Sequence, residues 1–295
     1  MSFRNVTVAG TGVLGSQIAY QTALNGFKVT AYDLDADAAK KRVLALESSY
    51  QHDLHLTAAD FQKGLDNLTF TTDLQTAVQD ADFVIEALPE ELEVKEKFYQ
   101  QLSKVAPAKA IFASNSSTMI PSQLVKYVDR PAKFLNMHFA NMIWLCNVAE
   151  IMGTSQTNPA VFQAVVDFAH DIKMVPIAIR KEQPGYVLNS LLIPFVVSAM
   201  SLWAKGVADP ATVDKDWMIS TGAPVGPFAM LDDVGLHTVK NIMLELYQTR
   251  HSDLFKQIAD KLQPMIDEGK TGVTAGEGFY KYPHPAFRDP EFLKK

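Results

Sequence analysis

Two side chains twelve residues apart, His138 and Glu150, are the pair in this sequence best suited to moving a proton. An imidazole exchanges a proton near neutral pH. A carboxylate beside it fixes the tautomer and stabilises the imidazolium, which favours the protonated ring. The spacing yields such a pair if the runs 134–138 and 144–150 fold back on each other across a turn at 139–143. A histidine that merely ends a strand is the other reading. The polar run Ser114-Asn115-Ser116-Ser117 offers further hydrogen-bonding groups. Ser117 suits donation to a substrate oxygen, and capping of a helix near Pro121 would occupy it equally well. No serine sits in a G-x-S-x-G elbow, so serine hydrolysis finds no support. His52 and His55 have neither a cysteine partner nor an H-E-x-x-H frame, and no metal site is expected.

A second constellation addresses phosphate. The apolar run 5–9 reads as a buried strand, and Gly10-x-Gly12-x-x-Gly15 then opens a helix over about 14–25. Gly10 makes the tight turn, Gly12 lets the backbone approach a pyrophosphate, and Gly15 lets helix and sheet come close. The helix start at Val13 and Leu14 aims unpaired N–H groups at an anion. A second strand over 27–32 ends on Asp33, whose carboxylate can accept from a ribose diol. That carboxylate repels a 2′-phosphate, and residues 34–37 hold no arginine to receive one. NAD(H) is therefore expected over NADP(H). A ligand-free strand-to-helix turn is the plainer alternative.

These groups need a scaffold, and the chain alternates strands and helices up to about residue 179. Strands are expected at 68–71, 82–87, 110–113, 133–138, 144–152 and 174–179, with helices at 36–50, 72–78, 91–102 and 159–172. Such alternation predicts a mostly parallel sheet covered on both faces, with ligands at the carboxyl ends of its strands. The stretch 180–185 (RKEQPG) marks a boundary, giving domains 1–183 and 184–295. Beyond it only helices are expected, at 186–204, 211–220, 230–248 and 254–268. The architecture is thus an α/β Rossmann-type domain followed by an all-helical one. The apolar load on 186–200 exceeds what one side of an exposed helix needs, which points to burial against a second copy of the chain.

Composition narrows the partners. The chain has 295 residues, 47% hydrophobic and 20% charged, with a net charge of -6. The negative balance argues against nucleic acid, and no apolar run is long enough to span a membrane. The absence of a signal peptide and the single cysteine, Cys146, lead to an expected cytoplasmic location.

GTGVLG at 10–15, FASNSS at 112–117, HFAN at 138–141 with Glu150 beyond it, PGYVLN at 184–189, GPFAMLDDVGL at 226–236 and GEGFYKY at 276–282 resemble together the short-chain L-3-hydroxyacyl-CoA dehydrogenase family, along essentially the whole chain. The resemblance implies NAD-linked interconversion of 3-hydroxyacyl and 3-oxoacyl compounds and a dimer formed through the helical domain. It implies His138 as the catalytic histidine and Glu150 as its acid, with Ser117, Asn141 and Asn189 positioning the substrate. It also implies Glu90, Lys95 and Asn115 beside Gly10, Gly12, Val13, Leu14, Gly15 and Asp33 in the cofactor crevice.

The departures are Ala140, Met142, Trp144 and Cys146 around the histidine, and Ser190 where the family carries arginine. In these the chain is similar to the branch that contains bacterial diketoreductase. The stretch 43–62 holds acids and no lysine before Lys63, which weakens the case for acyl-CoA as the small-molecule substrate. Two rival readings are an NAD-binding structural protein without activity and an NAD-dependent dehydrogenase of polar hydroxy acids.

Overall fold

β1 (Asn5–Ala9), α1 (Val13–Leu24) and β2 (Lys28–Tyr32) form the first β-α-β unit. The computed structural model describes residues 3–294, and these fall into two compact units that meet in sequence between Val187 and Leu188. In the first unit α2 (Ala36–Leu44), α3 (Glu47–Leu54) and α4 (Ala58–Leu65) lead to β3 (Leu68–Thr71), and α5 (Leu74–Val78) leads to β4 (Phe83–Glu86). Then come α6 (Leu92–Val105), β5 (Ile111–Ser114), α7 (Pro121–Leu124), β6 (Phe134–Phe139), β7 (Val148–Gly153), α8 (Pro159–Asp171) and β8 (Val175–Ile179). Thr57 caps α4 by accepting from the Asp60 amide, and Asp73 caps α5 through the Thr76 amide.

The strands make one eight-stranded sheet in the order β3-β2-β1-β4-β5-β6-β7-β8. Every pairing is parallel except β6 with β7. Central strands of such a sheet are covered on both faces and read as continuous apolar runs. The period of two then splits each run between two cores. Ile85, Ala113 and Leu135 belong to one, and Val84, Phe112 and Phe134 to the other.

The extended run expected from 144 begins as a strand only at Val148. Residues 142–145 turn instead, with the Leu145 and Cys146 amides both donating to the Met142 carbonyl. The turn is held from outside by Trp144, whose Nε1 donates to Asp53 Oδ2 at 2.8 Å and whose ring leans on Tyr50.

The second unit is mostly helical: α9 (Leu188–Ala204), α10 (Pro210–Thr221), α11 (Pro227–Val234), α12 (Leu236–Arg250) and α13 (Asp253–Asp267). Its core gathers Met200, Phe228, Leu231, Leu236, Ile258 and Leu262. The helix expected over 230–248 is divided at Gly235, because the Leu236 amide leaves the helical ladder to donate to the Thr271 carbonyl. Two buried carboxylates explain much of the distinctive sequence here. Asp214 accepts from the Phe228 and Ala229 amides at the start of α11 and from the Tyr280 hydroxyl. Asp232 accepts from the Phe279 and Tyr280 amides and the Tyr282 hydroxyl. Burial pushes both carboxyls up, and the donors satisfy the oxygens that burial takes from water. GPFAMLDDVGL and GEGFYKY are thus the two halves of one structural clamp.

Candidate active site

Antiparallel pairing places His138 directly opposite Glu150. Residues opposite each other share a sheet face with Cβ atoms roughly 5 Å apart, so the side chains meet without a special loop. His138 Nδ1 lies 2.9 Å from Glu150 Oε2, and both side chains are buried. The other carboxylate oxygen accepts from the Val187 amide at 2.9 Å. The Nδ1 contact orients the ring and leaves Nε2 as the nitrogen that meets a reactant.

The imidazole also lies against the Tyr186 ring, with centroids 4.5 Å apart and planes inclined by 17°. The Tyr186 hydroxyl donates to the Ser116 carbonyl at 2.7 Å and accepts from Asn136 Nδ2 at 2.8 Å. Sequence reading placed Tyr186 at the start of a helix, whereas α9 begins at Leu188 and Tyr186 is buried in the first unit.

The cofactor elements cluster at the carboxyl ends of β1, β2 and β4. A Cβ on Gly15 would fall 1.9 Å from the Gly10 carbonyl oxygen, so only glycine lets α1 start this close to the strand. A Cβ on Gly12 would meet nothing within 4 Å, so that side of the turn is open to an approaching phosphate. The amides of Val13, Leu14 and Gly15 precede the first helical bond, from Ser16 to Gly12, and have no acceptor within the helix. Leu88, Val94 and Phe98 give the adjoining cavity of about 780 Å³ an apolar wall. These features fit a dinucleotide.

Asp33 takes more than the sequence indicated. Its Oδ2 accepts from the Thr11 amide at 2.8 Å, the Thr11 hydroxyl at 2.5 Å and Arg42 Nη2 at 3.2 Å, while Oδ1 accepts from the Asp35 amide. Partial burial pushes the carboxyl up, but the Thr11, Asp35 and Arg42 donors outweigh it and hold the group below its ordinary value. Arg42 lies five residues beyond the stretch 34–37 that directly follows Asp33. The turn into α2 brings it back to the pocket, where its Nε also donates to the Thr11 carbonyl.

Glu90 accepts from the Ser116 hydroxyl, the Thr118 amide and the Thr118 hydroxyl. Burial raises its carboxyl, but Ser116, Lys95 and Thr118 together lower it below the ordinary carboxylate value. Lys95 is 1% exposed and lies 2.5 Å from Glu86 Oε1 and 3.4 Å from Glu90 Oε2. Glu86 also accepts from the Leu88 amide, the Tyr99 hydroxyl and the Ser114 hydroxyl. Sequence reading passed over Glu86 because it closes an apolar strand; the cue was Lys95 nine residues on, at the first turns of the next helix.

Asn115 Oδ1 accepts from the Phe139 amide, tying the end of β5 to the residue after His138. Asn141 Oδ1 accepts from Gln17 Nε2 at 3.2 Å. Ser117 is half-buried on the loop after β5, and Ile120, not Ser117, occupies the N-cap position of α7, where the Gln123 side chain accepts from its amide. Asn189 lies in the first turn of α9, in the second unit.

Residues 5–183 match the profile of the 3-hydroxyacyl-CoA dehydrogenase NAD binding domain, and residues 185–282 match that of the same enzyme's C-terminal domain. The chain belongs to the 3-hydroxyacyl-CoA dehydrogenase family. As a member of it, the protein is an NAD(H)-dependent dehydrogenase or reductase acting on a hydroxy or oxo carbon through a histidine–glutamate pair. The human mitochondrial hydroxyacyl-coenzyme A dehydrogenase is 32% identical over 287 residues, 95% of this chain and 91% of the human one. A diketoreductase structure described for dual catalysis of dicarbonyl compounds is 50% identical, with a TM-score of 0.90 over 96% of this chain and all (100%) of that one. The (S)-3-hydroxybutyryl-CoA dehydrogenase of Ralstonia eutropha is 27% identical, with a TM-score of 0.81 over 96% and 100% of the two chains. The human relative corrects one expectation. It is a mitochondrial protein matched along nearly its whole length, so the cytoplasmic location inferred from the amino terminus and Cys146 does not stand.

Proposed function

We propose that this enzyme uses NADH to reduce 3-oxo or 3,5-dioxo acids and esters that carry no CoA. The observation that carries the reading is the 50% identity to a diketoreductase over 96% of the chain, well above the 32% shared with the human CoA-linked enzyme. The arm of α3 and α4 supports it. Asp53 there is committed to Trp144, Asp60 to Thr57 and Lys63, and residues 43–62 hold no lysine to meet a CoA phosphate.

Bound NADH supplies the hydride that the carbonyl carbon takes up. His138 gives its Nε2 proton to the oxygen as the carbon–oxygen double bond becomes a hydroxyl, and Glu150 steadies the imidazolium beforehand. Run in reverse, the neutral ring removes the hydroxyl proton. Positioning of the substrate by Ser117, Asn141 and Asn189 rests on their places in the family's motifs. In this reading residues 1–183 hold the cofactor and residues 184–295 serve the substrate and a homodimer. Leu191 is 70% exposed and Ile219 57%, although both lie in the helical unit's apolar sequence; sedimentation at the mass of a single chain would argue against the dimer.

The deciding experiment compares NADH-linked reduction of a 3,5-dioxohexanoate ester with that of acetoacetyl-CoA at matched concentration. A large preference for the ester is expected, and a large preference for the thioester would return the protein to CoA-linked chemistry.

Glu150→Gln lowers the rate, because a neutral amide holds the ring's tautomer less firmly and no longer stabilises the imidazolium by charge. An unchanged rate would make the pair structural. Asp33→Ser removes the charge that repels a 2′-phosphate and leaves the Arg42 guanidinium facing the site, so its ratio of NADPH to NADH efficiency rises about tenfold or more. Steady-state rates with the two cofactors check this, and an unchanged ratio would show that Asp33 does not set the preference.

A further inference from the structure

We infer that Tyr186 is a positioning residue for the proton transfer, holding the plane of the His138 imidazole while the next amide in the chain holds Glu150. The inference rests on the reading of His138 as the acid and base.

Three observations converge on it. Tyr186 has φ of 54°, a left-handed conformation that is strained for a non-glycine residue and persists where its surroundings over-determine it. That conformation turns the chain so that consecutive residues address both members of the pair. The Tyr186 ring lies nearly parallel to the imidazole at 4.5 Å, and the Val187 amide donates to Glu150 Oε1.

The ring is itself anchored at its far end. Its hydroxyl bridges the Ser116 carbonyl and Asn136 Nδ2. Ser116 in turn donates its hydroxyl to Glu90, and Asn136 stands on the same strand face as His138, two residues before it. Tyr186 is 1% exposed, and burial pushes the pKa of its phenol up, so it serves as a neutral fixed plane.

A residue that only filled space would need none of this. An apolar side chain of similar size would occupy the volume without the strained backbone or the two hydroxyl contacts. A plane set against the imidazole limits its rotation about the bond to the backbone, leaving Nε2 aimed in one direction. Misplacing a reacting group by about 1 Å can cost on the order of 10²-fold in rate.

The test compares Tyr186→Leu, Tyr186→Phe and His138→Gln in the full chain. In Tyr186→Leu, kcat falls about tenfold to a hundredfold while the KM for NADH stays within about twofold, and the solvent deuterium isotope effect on kcat rises as proton transfer becomes limiting. Tyr186→Phe keeps the ring and recovers most of the loss. Wild-type kcat and isotope effect in Tyr186→Leu, with His138→Gln inactive, would overturn the inference and leave the role of His138 standing. Full activity in His138→Gln would instead remove the reading beneath it. If Tyr186→Leu does not fold, Tyr186→Met, which fills the space without a ring, decides by the same two readouts: a lowered kcat with a raised solvent isotope effect supports the inference, and wild-type values of both overturn it.

Discussion

Replacing His138 with glutamine lowers turnover by about 10²-fold or more while NADH binding is nearly unchanged. Glutamine has comparable reach and can hydrogen-bond to Glu150, yet it neither takes up nor releases a proton near neutral pH. The reduced substrate oxygen then has only water as its proton source. Cofactor binding is spared because the elements expected to hold NADH, the Gly10 to Gly15 turn and Asp33, belong to β1, α1 and the end of β2, whereas His138 is on β6. Steady-state rates and fluorescence titration with NADH check the two halves separately. Wild-type turnover would remove His138 from the mechanism, and lost NADH affinity would make its role structural.

The second large effect concerns stability. Glu86→Leu destabilises the protein by roughly 3–5 kcal/mol, because it leaves the buried Lys95 ammonium without its closest counter-charge. It also strands the Tyr99 and Ser114 hydroxyls, which both donate to Glu86. Glu90 at 3.4 Å softens the loss without replacing those contacts. Adding Lys95→Met to Glu86→Leu restores part of the stability, since a buried methionine carries no charge to desolvate. Denaturant unfolding of the single and double variants measures both steps. A Glu86→Leu protein as stable as the parent, or a double variant less stable than the single one, would refute this account of the network.

The sequence offered His138 and Glu150 as neighbours on consecutive strands, but not their register: a turn confined to 139–143 would set His138 opposite Trp144, and it is the longer connection, with β7 starting at Val148, that brings Glu150 opposite the histidine. Gly10, Gly12, Gly15 and Asp33 were more fully legible, since adjoining strands, one turn and one helix fix their mutual positions. What escaped depended on longer returns of the chain. Arg42 reaches Asp33 only because α2 folds back over the first turn. Glu86 looked like the end of an apolar strand until the lysine of α6 was seen against it. Tyr186 was hidden because PGYVLN reads as the entry to an apolar helix, and a left-handed tyrosine has no local signature. The motifs of the helical unit stood out as a family pattern, but their physical reason, Asp214 and Asp232 gathering amides and tyrosines from distant segments, needed coordinates.

The most direct measurement of the central claim is a crystal structure with NAD and a substrate analogue bound. The account predicts the reacting oxygen within hydrogen-bonding distance of His138 Nε2, the nicotinamide C4 facing the same carbon, and the Nδ1 contact to Glu150 intact. A nicotinamide turned away from His138, or a Glu150 carboxylate out of reach of the ring, would contradict it.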